Sequence, residues 1–232
     1  MQVRFLSMLL VLLTAFAALP ARAQVGTQVG IVLTVEGQVN VVSGKPECGV
    51  RYGLDLEEGD MVRTGDKSWA VLSLLDGAKI TVRPSTEVRI ERYRFTESGE
   101  PSQNFALLAL TRGALRVLTG AIATGRNTGY RVRTPEMTME MRGTDHDVSH
   151  VVPQFTPVGD AAPGSYGKTY AGEAIIKNSS GELTLRNGQS AFAALRAPPR
   201  LLTLEPWLFS LHAHIDRRAA AVTNSLSGPN FQ

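Results

Sequence analysis

The chain has 232 residues, of which 43% are hydrophobic and 19% charged, and its formal net charge is +3. This composition is enough to bury one sizeable core or two modest ones, and it argues against a disordered chain or a coiled coil. The 22 glycines and 12 prolines predict many turns, which suit short strands better than long helices.

The N-terminus has the pattern of an export signal. Arg4 precedes an apolar run from residue 5 to residue 19, and residues 21–23 form an A-x-A cleavage site. We therefore expect residues 1–23 to be removed as a signal peptide and the mature chain to be periplasmic or secreted, without a transmembrane segment. An uncleaved anchor is the alternative, but the run is shorter than the roughly 20 residues that span a bilayer. Loss of Arg4 and Arg22 reduces the net charge from +3 to +1.

Residues 24–195 are predicted to form one all-β domain. Segments rich in Val, Ile, Leu, Thr and Tyr alternate there with Gly, Asp and Pro. Polar and apolar residues alternate in residues 79–83 and 130–133, as in half-buried antiparallel strands. The alternation slips once near Glu91 and Arg92, which predicts a β-bulge. We expect a mostly antiparallel sandwich or roll, or a short irregular solenoid, with one α-helix at the C-terminus.

Several glycine and aspartate residues mark predicted turns. Asp side chains can bond their own backbone at a turn, and Gly accepts the positive φ that tight reversals need. Turn aspartates are far commoner than catalytic ones in such dipeptides, so these residues are interpreted as structural. The set is Gly59, Asp60, Asp76, Gly77, Gly113 and Gly143.

Two segments interrupt the strand pattern. Residues 153–168 contain prolines and glycines and predict a long loop. Residues 196–232 predict a Pro-containing linker and an amphipathic helix, with Pro206 as its first residue. Apolar residues follow at helical spacing, at Trp207, Leu208, Leu211, Ile215, Ala219 and Val222. This stripe is expected to cover an open edge of the β domain; docking on a partner is the alternative.

An ordered series of short motifs resembles the FecR-domain family, named for a periplasmic regulator of iron-citrate uptake. The motifs occupy residues 36–39, 56–65, 70–82, 112–115, 132–135, 142–148, 172–174 and 185–191. The resemblance extends over roughly residues 30–192, and the order of the motifs is more specific than any one of them.

The resemblance implies a regulatory β domain and no enzyme. Iron-sensing members of the family add a sigma-factor-binding segment with a membrane anchor and a domain that docks on an outer-membrane transporter. Here a signal peptide and a short helical tail stand in their places. We therefore expect a free periplasmic module for protein interaction, ligand sensing or envelope regulation, without a cofactor. Its partner would be a periplasmic protein or an envelope polymer.

One segment is dense in ionisable side chains and follows Arg142. The candidate binding residues are Arg142, Thr144, Asp145, His146, Asp147 and His150. In an extended strand Asp145, Asp147 and Ser149 point to one face, and the two histidines point to the other. The histidines would then lie about 13 Å apart at roughly 3.3 Å per residue, too far to share a metal. Pairing of the aspartates with backbone or arginine is the favoured interpretation, and no metal site is predicted.

Two other functions compete with this interpretation. A metal-dependent hydrolase would use Asp145, His146, Asp147 or His150, whereas an envelope glycan-binding module would use exposed aromatics such as Tyr166 and Tyr170. No Gly-x-Ser-x-Gly nucleophile motif is present, and we identify no catalytic residue.

Nucleic-acid binding is not expected, although residues 83–142 contain ten arginines and no lysine. These arginines alternate with glutamates on the predicted strands, as in a solvated sheet face with cross-strand ion pairs. The glutamates are Glu87, Glu91, Glu136 and Glu140.

Overall fold

The computed structural model describes residues 27–43, 48–98, 100–124, 129–153 and 161–226. Within them, 15 strands form one hydrogen-bonded sheet. Every pairing between described strands is antiparallel except that of the tenth with the ninth. The predicted all-β, mostly antiparallel fold class is confirmed. The predicted signal peptide lies outside the described residues.

Most of the strands are short, but three have 14 or 15 residues. The strands are β1 (Gln28–Glu36), β2 (Val39–Val42), β3 (Cys48–Gly49), β4 (Asp55–Glu57), β5 (Met61–Thr64), β6 (Trp69–Leu74), β7 (Lys79–Val82), β8 (Glu87–Arg94), β9 (Phe105–Leu118), β10 (Tyr130–Arg133), β11 (Thr138–Val151), β12 (Gly164–Asn178), β13 (Gly181–Leu185), β14 (Ser190–Ala193) and β15 (Arg200–Leu201). One α-helix, α1, spans Ala213–Leu226, and 3₁₀ turns lie at Pro101–Gln103, Ala121–Ala123 and Trp207–Phe209.

The sheet folds over into two layers because β9, β11 and β12 run through both. The first layer has the order β3-β2-β5-β8-β9-β10-β11-β12-β13 and uses the first halves of β9 and β11 with the second half of β12. The second layer has the order β4-β1-β6-β7-β9-β11-β12-β14-β15 and uses the remaining halves. This arrangement is the predicted sandwich or roll, not the solenoid.

The long strands change layer at glycines. The φ angle is +87° at Gly113 in β9, +100° at Gly143 in β11 and +98° at Gly172 in β12. A Cβ on Gly143 would lie 2.5 Å from the Cα of Gly172, so the two strands bend in contact. The prediction of tight reversals at Gly113 and Gly143 is therefore corrected: each is a corner inside a continuous strand.

One contiguous apolar core lies between the layers. Its fully buried side chains include Leu108 and Met139 from the first layer and Leu72, Ile80 and Val148 from the second. Burial of a side chain of this size contributes about 1.5–3 kcal/mol relative to exposure. The shared core explains why the alternation read from the sequence holds in both layers.

Turns lie at Gly59 and Gly77, where the sequence predicts them. Both residues have positive φ, of +95° and +87°. The Asp60 carboxylate accepts a hydrogen bond from the Glu57 N–H (2.9 Å), as a turn aspartate does. Asp76 also has a contact beyond its own turn, because its carboxylate accepts a hydrogen bond from the Tyr93 hydroxyl (3.1 Å). This bond joins the β6–β7 turn to the first layer.

The strand register confirms the predicted bulge. Pairing of β8 with β9 shifts between Ile90 and Arg92, and Tyr93 returns to the buried side. The outer face of the first layer carries the expected cross-strand ion pairs, such as Arg131 with Glu140 (3.4 Å) and Arg133 with Glu91. These two arginines are thus paired with acids.

Three predictions about the C-terminal half need correction. Residues 164–168 of the predicted loop belong to β12, because they pair with β11 and β14; residues 154–160 lie outside the described part. Pro206 precedes a 3₁₀ turn, and the α-helix begins only at Ala213. The helix covers the outward face of the second layer, not an edge, with Ile215 and Ala219 against Trp69. No helix within the described ranges has the length and apolar character needed to cross a membrane.

Candidate functional site

Charged side chains gather on the outward face of the second layer, beneath α1. Thr81, Arg116 and Asp147 stand side by side on β7, β9 and β11. Their neighbours along the strands point into the core, so these three point away from it. We call Arg83, Arg116, Asp145, Asp147 and Asp216 the charged network.

Arg83 is the centre of this network and is fully buried. Its Nη2 donates to both carboxylate oxygens of Asp147, at 2.8 and 2.9 Å, and to Oδ2 of Asp216 at 2.8 Å. Its Nε donates to Oδ1 of Asp216 at 3.2 Å. Since Asp147 lies on β11 and Asp216 on α1, one guanidinium ties the helix to the sheet.

Arg116 forms the outer, more solvated part of the charged network. It makes a bidentate pair with Asp145 (2.9 and 2.8 Å) and reaches Asp216 at 3.2 Å. Its guanidinium lies 4.2 Å from the ring centre of Tyr170, whose hydroxyl donates to Asp147 at 2.9 Å. The side chains of Arg116 and Asp145 are 25% and 20% exposed, whereas those of Arg83 and Asp147 are 0% exposed.

Burial and neighbouring charges shift the pKa values of the network residues in opposite directions. Burial raises the pKa of Asp147, the nearby Arg83 and Arg116 lower it, and the carboxylate of Asp216 raises it again. Burial disfavours the charged form of Arg83, but Asp147 and Asp216 hold its pKa above the ordinary value. A second carboxylate, that of Asp216, thus shares the Arg83 guanidinium with Asp147.

The two candidate histidines lie on the opposite, inward side of β11, as the alternation predicts. His146 faces Thr169, with Nδ1 3.3 Å from its hydroxyl, and its Nε2 has no hydrogen-bond partner among the described residues. His150 Nδ1 lies 2.9 Å from Glu136. The residues proposed for a hydrolase are therefore divided between two sides of the strand. The described ranges contain no group of three His, Cys, Asp or Glu side chains placed to hold a metal.

A second cluster combines Ser165, His150 and Glu136, the residue types of a hydrolytic triad. Both the Ser165 hydroxyl (3.2 Å) and the Glu136 carboxylate (2.9 Å) face the same His150 nitrogen, Nδ1. A triad needs the nucleophile and the acid on different ring nitrogens. Ser165 is also fully buried, so this cluster does not have the geometry of a nucleophilic site.

The aromatic side chains suggested for glycan binding are not exposed platforms. Tyr166 is buried, packs on Phe192 with ring centres 4.9 Å apart, and donates its hydroxyl to the Ala162 carbonyl. Tyr170 is half-buried between Arg116 and Lys168. The expectation that these two rings are exposed was wrong, because β12 begins at Gly164 and carries both into the sheet.

Arg142 and Thr144 lie apart from the network, at the strand corner. They line a cleft of about 590 Å³ together with Gly120, Gly143 and Gly172. Arg142 pairs loosely with Glu173 at 3.5 Å. Of the six predicted binding residues, the structure places only Asp145 and Asp147 together in the charged network.

Sequence reasoning missed Arg83, Arg116 and Asp216. Arg83 and Arg116 occupy outward positions of alternating strands, where the sequence gives no sign that a helix covers them. Asp216 is the single acidic residue of α1 and stands next to the buried Ile215. An acid beside the apolar stripe of a helix is the one signal that points to it.

The buried histidines give a testable dependence on pH. Burial lowers the pKa of His146 to about 4, and burial together with Arg83 lowers that of His212 to about 4. The unfolded chain has a His pKa of about 6.5, so it binds protons that the folded chain does not. The free energy of unfolding should be highest above about pH 6.5 and should decrease towards pH 4, with on the order of 3 kcal/mol of that decrease due to His146. Urea unfolding at pH 7, 6 and 5 measures this, and His146→Gln should flatten the profile; an unchanged slope would contradict the assignment.

The fold and the site define a two-layered β protein in which Arg83 and Asp147 form a fully buried ion pair. Residues 60–156 match the model of the FecR protein family, which confirms the predicted resemblance for the segment from β5 to β11. The match includes Arg83, Arg116, Asp145 and Asp147, and α1 lies outside it. FecR-like proteins are regulatory and interact with other proteins.

Solved structures and curated proteins were compared as well. Two crystal structures of a protein from Parabacteroides distasonis ATCC 8503, provisionally described as an anti-sigma factor, are similar at TM-scores of 0.47 and 0.45, each with 12% identity. The similarity covers 66% and 63% of this chain but 63% and 61% of theirs, so it spans less than two thirds of their length. No curated protein matches the chain.

Proposed function

We propose that the chain is an exported, non-enzymatic regulatory module that acts by binding another envelope protein. The FecR match supports the regulatory class, and the export signal in residues 1–23 supports the compartment. The non-enzymatic role is supported by the placement of the hydrolase candidates, which face two sides of β11.

A single observation carries the proposal for the interaction element. The C-terminal helix is joined to the FecR segment through Asp216, which Arg83 and Arg116 bind. A family segment and an added helix thus share one buried ion network, so events at the helix act directly on the domain. A protein partner is favoured over an anionic polymer, because two arginines of the first layer, Arg131 and Arg133, are already paired with acids.

Site-specific photo-crosslinking in cells tests this function. A crosslinker at the exposed Ala220 of α1 should trap one envelope protein, and the same group at the exposed Thr184 of β13 should not. Fractionation and N-terminal sequencing should find the mature chain outside the cytoplasm, starting near Gln24. Identical patterns from both positions, or a cytoplasmic chain that retains residues 1–23, would contradict the proposal.

A further inference from the structure

The groove beneath α1 is formed by the outward faces of β1, β6, β7, β9 and β11. Few apolar contacts hold the helix in this groove. Ile215 and Ala219 are the side chains of α1 found buried, against Leu33, Trp69 and Val71. One of the two is an alanine, which buries little surface. The helix is therefore held to a large extent by polar contacts.

Three of those polar contacts converge on one carboxylate. Asp216 accepts hydrogen bonds from Nε and Nη2 of Arg83 and from Nη1 of Arg116. A carboxylate is the acceptor that matches the planar fork of a guanidinium. With α1 removed, the Nε of Arg83 and the Nη1 of Arg116 would lose the carboxylate that accepts their hydrogen bonds, so the groove itself is complementary to an acidic helix.

The helix does not fill this groove. A cleft of about 370 Å³ remains beside Asp216, with Ala220 and Thr223 on the helix side and Lys79 and Leu118 on the sheet side. Small side chains on the helix leave this space. A helix with a larger apolar residue at the place of Ala220 would fill it and gain contacts that α1 lacks.

We infer that this groove is a receptor site for a helix of a partner protein, which presents a carboxylate at the place of Asp216 and a large apolar residue at the place of Ala220. In this inference, which rests on the proposed function, α1 is the intramolecular competitor that occupies the site until the partner arrives. The apparent affinity for the partner is then reduced by the fraction of molecules in which α1 is docked.

Peptide binding to the full mature chain tests the site. The probe is a fluorescent peptide with the sequence of residues 211–226 and Ala220→Leu, measured by anisotropy. The variant Asp216→Asn should bind it about tenfold more tightly than the wild type, because its own helix competes less. A probe that also carries Asp216→Asn should lose about tenfold in affinity, since it lacks the carboxylate.

Glu36→Gln provides the matched control. Glu36 pairs with Arg218 of α1 at the solvated rim, where the side chains are 43% and 57% exposed, so its loss should leave probe affinity unchanged. Equal binding of probes with and without the carboxylate would overturn the inference. The inference would also be overturned if the Asp216→Asn variant did not bind the probe, including the case where that variant dimerises by exchanging helices. If the variant did not bind the probe but crosslinking in cells was still specific to one position, the groove would be excluded as the partner's site and the proposed function would stand.

Discussion

The substitution Asp147→Ala is expected to lower the free energy of unfolding by about 3–5 kcal/mol. Asp147 and Arg83 are both 0% exposed and are joined by two hydrogen bonds. Removal of the carboxylate leaves the buried guanidinium with Asp216 as its remaining ionic partner and leaves the Tyr170 hydroxyl without its acceptor. Breaking a buried ion pair costs more than the intact pair contributes. Urea unfolding of the purified mature chain measures the change.

Two variants separate this explanation from a general effect of mutation in β11. Asp145→Ala removes a pair on the same strand, but Arg116 and Asp145 are 25% and 20% exposed, so the cost should be about 0–1 kcal/mol. The double variant Arg83→Met with Asp147→Leu should recover most of the loss, because it leaves no buried charge unpaired. Equal costs for the two aspartates would show that burial of the pair is not the cause.

The second large effect is expected at a strand corner. Gly143→Ala should destabilise the fold by about 2–5 kcal/mol, because it combines a left-handed φ with overpacking. Gly143 has φ of +100°, and a Cβ there would meet the Cα of Gly172 at 2.5 Å. Neither backbone can yield without disturbing the layer change of β11 and β12. Thermal and urea unfolding of the variant give the magnitude.

Gly59→Ala is the matched control for this corner. Gly59 has a similar φ of +95°, but a Cβ there would have no atom within 4 Å. Its substitution should therefore cost only the conformational part, about 1–2 kcal/mol. If the two alanine variants were equally stable, close contact between the strand corners would not be the source of the larger effect.

Local rules were sufficient where a residue's environment follows from its neighbours in the chain. The alternation in residues 130–133 predicts which side chains are buried, because successive residues of a strand face opposite sides. The bulge after Ile90 could be read from the same alternation. The two faces of β11 were also predicted, so His146 and Asp147 were correctly placed on opposite sides.

Local rules failed where a contact joins distant parts of the chain. Gly113 and Gly143 look like turn glycines, since positive φ is common to turns and to strand corners and the sequence does not distinguish them. Tyr166 resembled an exposed loop residue because the length of β12 depends on pairing with β11 and β14. The start of α1 was placed too early for a different, local reason. A proline fits the first turn of a 3₁₀ helix as well as that of an α-helix, so Pro206 does not distinguish the two.

The sequence by itself determined which elements the protein contains: a run of antiparallel strands with their buried faces, and a C-terminal helix. It also contained the family motifs. Only the tertiary structure decided that Arg83 is paired with Asp147 and Asp216, residues 64 and 133 positions further along the chain. The physical reason is that hydrophobic alternation specifies which face of a strand is buried in the core. What covers the other face depends on the folded path of the whole chain, and here it is a helix that turns a solvated row of charges into a buried network.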